Sequence, residues 1–528
     1  MSEAVDRHLL ALPRGGGRVY LSWRLLSEDA PDVGFAVEGR RPGEGWQPVG
    51  DAPVTDSTNF LDDTRGGERE YRVVADGTPS EVVRVDTSAP PTICAVDEPL
   101  DPEDKVALIA IGDLTNNGRM GYVLRVVRHG TVWFSARRHD GKLLWEMDTC
   151  IPAAGGWDRS SHHVPFLSWD VNGDGRTEVA FHRFEGDFPR DTYDEGVGEG
   201  ELLTVVDGET GEVVWDAPWP ARKPRVMMTV GHLRGRDRPA HIVVLDETYG
   251  PVDLTAVDGK TGKVTWRVRQ ERPAGHNLDV GDIDLDGMQE VICGGVCYNG
   301  DGTVRWQAEL KGHTDISKPA RIDPGREGLQ VWYAVESTDP GVYLVDSRGR
   351  TIFKEAFRHA HYGWVARHTA KVPGLQPHTA EDSRRDTVEH NPIFLPDGTH
   401  WLNLTDWQRK NFVPVHWDEG PEVVFIIRKE NKRVVRLLES GEMEDLPEGE
   451  LPEGGRYGRN LVCADVMGDY RENIVTVDEE RNRLMVLANP TLARRRGTSP
   501  FEDFEYRHDR SQHGSGYYIY LSPPVTTT

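Results

Sequence analysis

The chain has 528 residues and a formal charge of −25, with 87 Asp and Glu against 62 Lys and Arg. That sign makes nucleic acid and anionic membranes poor partners, and no apolar run reaches the roughly 18 residues a membrane helix requires. A hydrophobic share of 37% supports a core, while 56 Gly and 34 Pro point to many short strands joined by tight turns.

The opening Met1–Pro13 lacks a basic-then-apolar signal pattern, so the expected location is cytoplasmic, or secreted if a signal has been removed. The stretches RVYLSWRLL (18–26), FAVEGR (35–40) and REYRVVAD (69–76) alternate apolar and polar residues. Such alternation marks half-buried strands and predicts a small β-sandwich over residues 1–88. The Pro-rich TSAPPTICAVDEPLDP after Asp86 reads as a linker.

From residue 89 to 528 the chain repeats itself. One phrase is a strand, a Gly turn and a strand ending in an aromatic residue: RHDGKLLW (138–145), VDGETGEVVW (206–215), VDGKTGKVTW (257–266), YNGDGTVRW (298–306) and VDSRGRTIF (345–353). Gly there supplies the positive φ of a tight hairpin. A second, acidic phrase recurs as GDLTNNG (112–118), WDVNGDGRTE (169–178), GDIDLDGMQE (281–290), ARIDPGREG (320–328) and ADVMGDYRE (464–472), each followed by an apolar strand. The spacing predicts an all-β propeller of seven or eight four-stranded blades, with a β-helix solenoid as the alternative.

In the acidic phrases Asp170, Asn172, Asp174 and Glu178 stand at positions 1, 3, 5 and 9, and Asp282, Asp284, Asp286 and Glu290 repeat that spacing. Alternate residues of a tight loop turn their oxygens inward, which suits calcium with its six to eight oxygen ligands. A helical calcium hand is excluded, because a β pattern follows and position 12 carries no Glu. The alternative is a set of solvated acidic turns. A different constellation is His276, His313, Asp315 and Glu336, drawn from adjacent repeats. Its imidazoles favour a first-row metal over calcium, although an oxygen-rich calcium site with some His, or hydrogen-bonded structural His, is also consistent with it. Cys94, Cys150, Cys293, Cys297 and Cys463 are odd in number and scattered, so they read as free thiols rather than a disulfide framework.

The order of these phrases resembles the rhamnogalacturonan lyases of polysaccharide lyase family 11. VYLSWRLL with DSTNFLDDT, SSHHVPFLSWDVNGDGRTEV, GHNLDVGDIDLDG, GHTDISKPARIDPGREGLQVWYAVE and RYGRNLVCADVMGDYRENI follow in the family's sequence. The resemblance implies an eight-bladed propeller behind a fibronectin type III-like domain. It also implies a divalent metal, calcium or first-row, at His276, His313, Asp315 and Glu336. Such enzymes cleave an acidic polysaccharide beside a uronic acid by β-elimination.

Two places depart from the family. The family's Asn-Gly-Thr-Lys run reads Gly454, Gly455, Arg456, Tyr457 here, and its first-blade sugar contacts are replaced near Ala107 and Val127. Tyr457 is the candidate base, with Arg456 or Arg459 lowering its pKa, and Arg456 can clamp a carboxylate through two hydrogen bonds. His162 and His163 precede a calcium loop. RHAHYGW offers His359, His361 and Tyr362, with Trp364 as a stacking platform for a sugar ring. A monomer is expected. The competing readings are a non-catalytic calcium-braced propeller that binds carbohydrate or protein, and a quinone-dependent dehydrogenase, for which no adjacent cysteine pair is present.

Overall fold

The computed structural model describes residues 6–63, 66–153, 164–188, 199–222, 226–246, 249–336, 341–357, 359–381, 390–427, 433–450 and 461–512, with backbone alone at 361, 362, 410 and 447–450. Among the described residues, eight antiparallel sheets of four strands follow residue 93. Sheet one runs Lys105–Gly112, Gly121–Arg128, Thr131–Arg137, Leu143–Pro152. Sheets two to seven repeat this meander, with first strands Phe166–Trp169, Val226–Gly231, Leu278–Gly281, Thr314–Ala320, Ala360–Ala366 and Phe412–Val415.

Sheet eight is made from both ends of the chain. Val462–Ala464, Asn473–Asp478 and Arg483–Leu487 are completed by Cys94–Pro99, which pairs antiparallel with Arg483–Leu487. The segment that reads as a linker is therefore, in its second half, a strand. Its prolines stand at 90, 91, 99 and 102, so none interrupts the strand between 94 and 98, and Pro99 closes it opposite Arg483.

Each sheet is apolar on both faces, and the cores lie between sheets. In Glu178–Phe184 of sheet two, Val179 and Phe181 pack with sheet one, while Ala180 packs with sheet three. The same sharing joins every neighbouring pair, and Ile109, Tyr122 and Leu124 of sheet one meet Val475 and Val486 of sheet eight, which closes the ring. Strands covered on both faces read as continuous apolar runs such as EVIC, which is why alternation is faint in this part of the sequence. Each fully buried Val or Phe contributes about 1.5–3 kcal/mol.

The repeated hairpin phrase is an inter-sheet clasp. Trp145 Nε1 donates to the Gly208 carbonyl at 2.8 Å, Trp215 to Gly259 at 2.9 Å, Trp266 to Gly300 at 3.0 Å and Trp306 to Ser347 at 3.1 Å. Every link runs from the last strand of one sheet to the third-to-fourth-strand turn of the next. The indole also lies on the turn glycine: a Cβ on Gly262, which has φ +67°, would meet Trp215 Cε3 at 2.9 Å. The turn thus requires glycine for its backbone and for its neighbour.

The first 88 residues build two further sheets, Leu10–Gly15, Arg18–Ser22, Asn59–Asp62 and Gln47–Pro48, Phe35–Arg40, Glu68–Ala75, Thr78–Pro79, with Val83–Asp86 beside Glu68–Ala75. They share one core around Trp23, Phe35 and Tyr71. This unit rests on loops that follow first strands of the ring. Arg24 donates to the Gly118 carbonyl at 2.8 Å, and Arg471, paired with Asp469 at 2.8 Å, reaches the Tyr20 hydroxyl. The helix Phe504–Ser511, capped by Asp503, reaches sheets three, five and eight at once. His508 Nε2 bonds the Val230 carbonyl at 2.8 Å, Asp509 pairs with Lys318, and Arg510 meets Glu472 at 3.0 Å. Only the ring axis permits contacts so distributed.

Candidate active site

All first strands leave from one face of the ring, here the entry face, and the acidic loops follow them on the opposite, exit face. His276 stands two residues ahead of Leu278–Gly281, and His313 immediately ahead of Thr314–Ala320, whose second residue is Asp315. Glu336 follows Gln330–Val335, the returning second strand, so it arrives at the same face.

Two glycines bring the chain segments together. Gly275 has φ +117°, and a Cβ there would lie 1.9 Å from the Thr314 carbonyl oxygen. His276 N–H donates to that carbonyl at 2.8 Å. Gly312 has φ +119° beside the Glu336 carbonyl, and Glu336 N–H donates to the His313 carbonyl at 2.9 Å. Asn277 Nδ2 adds a bond to the Asp315 carbonyl at 3.0 Å.

One ligand atom from each of His276, His313, Asp315 and Glu336 lies within 4.8 Å of the others. Asp315 Oδ1 is 3.7 Å from His276 Nε2 and 3.6 Å from His313 Nε2, and His313 Nε2 contacts Glu336 Oε2. The imidazoles stand perpendicular, 5.2 Å apart. Asp315 is fully buried and His276 nearly so, whereas the Glu336 side chain is 30% exposed, so the cluster opens to solvent on that side. Hydrogen bonds from His313 and His359 hold the Glu336 carboxyl well below the usual carboxylate range despite its burial. Two imidazoles and two carboxylates fit a divalent cation, and a buried carboxylate such as Asp315 is strongly stabilised by positive charge beside it.

His359, expected among the sugar contacts, lies against the cluster: its Nε2 is 3.0 Å from Glu336 Oε1. Trp364 is a correction. It is 5% exposed, stacks on His378 at 4.0 Å and donates its indole N–H to His368 Nε2 at 3.0 Å. Its side of the strand faces sheet seven, so it is core and has no face left for a sugar. His361 and Tyr362 belong to the strand Ala360–Ala366, with their side chains not described. His162, His163, Arg456, Tyr457 and Arg459 lie outside the described residues. Sequence reasoning missed Tyr249, which is 47% exposed and meets His313 and His276 edge-on at 5.0 and 5.7 Å. The signal was available: Tyr249 precedes Gly250, φ +78°, in the second-to-third-strand turn of sheet three, the turn type that carries Glu336 in sheet five.

On the exit face, Asp170 accepts the Gly173 and Gly175 amides at 2.7 and 2.9 Å, and Glu178 accepts that of Val171 at 3.0 Å. Asp170, Asp174 and Glu178 converge within 4.8 Å, with Asn172 bonded to Glu178 at 2.8 Å. Burial pushes Glu178 up to about 8, helped by Asp170 and Asp174 and opposed by the Asn172 and Val171 amides. In the second loop Asp282, Asp284 and Glu290 converge, and burial pushes Glu290 up to about 7. Asp286, expected as a ligand, is not in that set: its carboxylate accepts the Met288 amide at 2.8 Å. Arg305 enters this loop, contacting Asp284 and lying 3.2 Å from Glu290.

Comparison with known proteins gives the family and the fold. Residues 112–527 match the rhamnogalacturonan lyase family 11 C-terminal domain, and residues 1–88 the rhamnogalacturonan I lyase beta-sheet domain. Two relatives from Bacillus subtilis (strain 168) are the rhamnogalacturonan exolyase YesX, 24% identical over 93% of this chain and 90% of that protein, and the rhamnogalacturonan endolyase YesW, 26% identical over 96% and 88%. Among solved structures, the Bacillus licheniformis rhamnogalacturonan lyase PL11 superposes with a TM-score of 0.78 at 22% identity, covering 99% of this chain and 96% of that one. The exotype lyase YesX superposes with a TM-score of 0.77 at 20% identity, over 99% and 98%. The chain belongs to rhamnogalacturonan lyase family 11 and is a polysaccharide lyase.

Proposed function

We propose that this lyase cleaves a rhamnogalacturonan-type glycan beside its uronic acid by β-elimination, at a divalent cation held by His276, His313, Asp315 and Glu336. The observation that carries this is the convergence of those four side chains, from two adjacent sheets, on one face of the ring. In this reading the eight sheets are blades of an eight-bladed propeller over residues 89–528, and residues 1–88 form a fibronectin type III-like sandwich.

In β-elimination a base takes the proton on C5, a double bond forms between C4 and C5, and the O4 oxygen leaves with a proton from an acid or water. A divalent cation held by His276, His313, Asp315 and Glu336 would supply positive charge against the uronate carboxylate as C5 is deprotonated. His359 orients Glu336, and Tyr249 offers an exposed ring at the mouth of the cluster. Tyr457 is assigned as base and Arg456 as carboxylate clamp. Arg459, His162, His163, His361 and Tyr362 are assigned to the surrounding cleft. The first acidic loop is assigned to structural calcium, and the second takes calcium less readily because Arg305 already lies among its carboxylates.

The test is the ultraviolet absorbance of the unsaturated product, followed on rhamnogalacturonan and other uronate polymers with and without chelator. The expected result is a rise on rhamnogalacturonan that chelator stops and added divalent cation restores. A rise indifferent to exhaustive chelation overturns the metal role, and a rise only on a different polymer overturns the substrate.

A further inference from the structure

We infer that Glu355, His390 and His400 form a second, structural site for a first-row divalent cation of the zinc type, stapling sheet five to sheet six at the rim of the ring. One ligand atom from each of the three lies within 4.8 Å of the others. His390 Nε2 is 2.6 Å from Glu355 Oε1, and His400 Nε2 is 2.9 Å from Oε2. Two imidazoles present the same nitrogen to one carboxylate, a donor set that selects zinc-like ions over calcium. The rings are held in place: His390 packs on Phe357 at 4.6 Å, and His400 meets Phe394 edge-on at 5.0 Å. Both imidazoles remain about two-fifths exposed, which leaves an entry path and open coordination positions for water.

The location gives the site a purpose. Glu355 ends the last strand of sheet five, and His400 begins the last strand of sheet six. Between the four preceding sheet pairs, a tryptophan of the last strand donates its indole N–H to the next turn. At this junction the residue is Phe353. It lies over Gly398 as the indoles lie over their glycines, with a Cβ on Gly398 falling 2.9 Å from Phe353 Cγ, but it has no N–H to donate. The Glu–His–His cluster begins two residues further along that strand and ties the same two sheets.

The experiment is calorimetric titration of Co2+ into the full chain at saturating Ca2+, comparing wild type, the His390→Ala/His400→Ala double variant and Glu355→Gln. Wild type is expected to take up one more Co2+ than the double variant. Glu355→Gln keeps the shape and weakens that binding at least tenfold, and both variants retain lyase turnover measured with Ca2+. Equal uptake by wild type and the double variant overturns the inference. If the double variant fails to fold, an unchanged affinity in Glu355→Gln overturns it alone. Loss of turnover in a folded variant overturns the separation from the catalytic cluster.

Discussion

The two faces of the ring use similar residue types for different ends. On the exit face, carboxylates are turned in on their own loops: Asp170, Glu178, Asp282 and Glu290 all accept amides from within nine residues of themselves. On the entry face the carboxylates look across sheets, with Asp315 and Glu336 of sheet five set against His276 of sheet four. The N-terminal unit and the axial helix occupy the exit face. Local satisfaction builds a brace, and convergence across sheets builds a site that a substrate can complete.

The sharpest way to break that distinction is to remove one candidate cation ligand from each face. His313→Ala deletes an imidazole whose ring packs only against Tyr249 and His276 among the described aromatics, so the fold is expected to persist. Turnover is expected to fall by about a hundredfold or more, the scale of losing a group aimed at developing charge. Asp170→Ala is expected to keep turnover and lower Tm. Product absorbance and calorimetry on the same samples decide it. The distinction fails if Asp170→Ala loses turnover with Tm unchanged.

Glycine substitutions sharpen the contrast at the next scale. Gly262→Ala, on the exit face, imposes left-handed strain and drives a methyl against Trp215, for an expected loss of about 2–4 kcal/mol. Gly130→Ala, with φ +83° and nothing within 4 Å of its Cβ, isolates the backbone part at about 1–2 kcal/mol. Gly262 lies on the exit face, and Gly130, in the second-to-third-strand turn of sheet one, lies on the entry face but away from sheets four and five that hold the cluster, so turnover at low temperature is expected to survive in both. Gly275→Ala, whose methyl would overlap the Thr314 carbonyl, is expected to displace His276 and lose turnover as well. Thermal melts beside rate measurements check all three.

These contrasts also show what could be read without coordinates. The hairpin phrase was legible because one geometric demand, a turn glycine under a neighbour's side chain, recurs in each copy: Gly211, Gly262, Gly302 and Gly349 lie under indoles, and Gly141 of sheet one lies under Glu98 and Val96 of sheet eight. The convergence of His276, His313, Asp315 and Glu336 was legible as two His and two carboxylates drawn from adjacent repeats, and the structure adds the backbone reason in Gly275 and Gly312, each directly before a His. Trp364 was misjudged because a tryptophan among histidines looks the same in a cleft or a core, and only the register of its strand shows which sheet it faces. Cys94–Pro99 was misjudged because its partner strand lies some 390 residues away in sequence, and no local pattern reports so remote a pairing. Tyr249 belongs to the site through the ring's repeat geometry, not through any motif of its own.

The smallest expected effect separates the two acidic loops from each other. Their spacing is identical, yet Arg305 reaches into the second and pairs with Asp284 and Glu290, while Arg176, within the first loop, turns to Asp207 at 3.0 Å. A guanidinium already placed among the carboxylates supplies the charge a cation would bring and occupies its space. Calcium is therefore expected to raise Tm chiefly through loop one. At a concentration about a hundred times Kd the stabilisation is about 2.7 kcal/mol for one site. Asp170→Asn should abolish most of the calcium-dependent rise, and Asp282→Asn should leave most of it. Arg305→Gln should add a second increment, because it frees the carboxylates of loop two for a cation. Equal loss from the two aspartate variants, with no gain in Arg305→Gln, would mean that carboxylate spacing alone sets calcium binding and that the neighbouring arginine has no say in it.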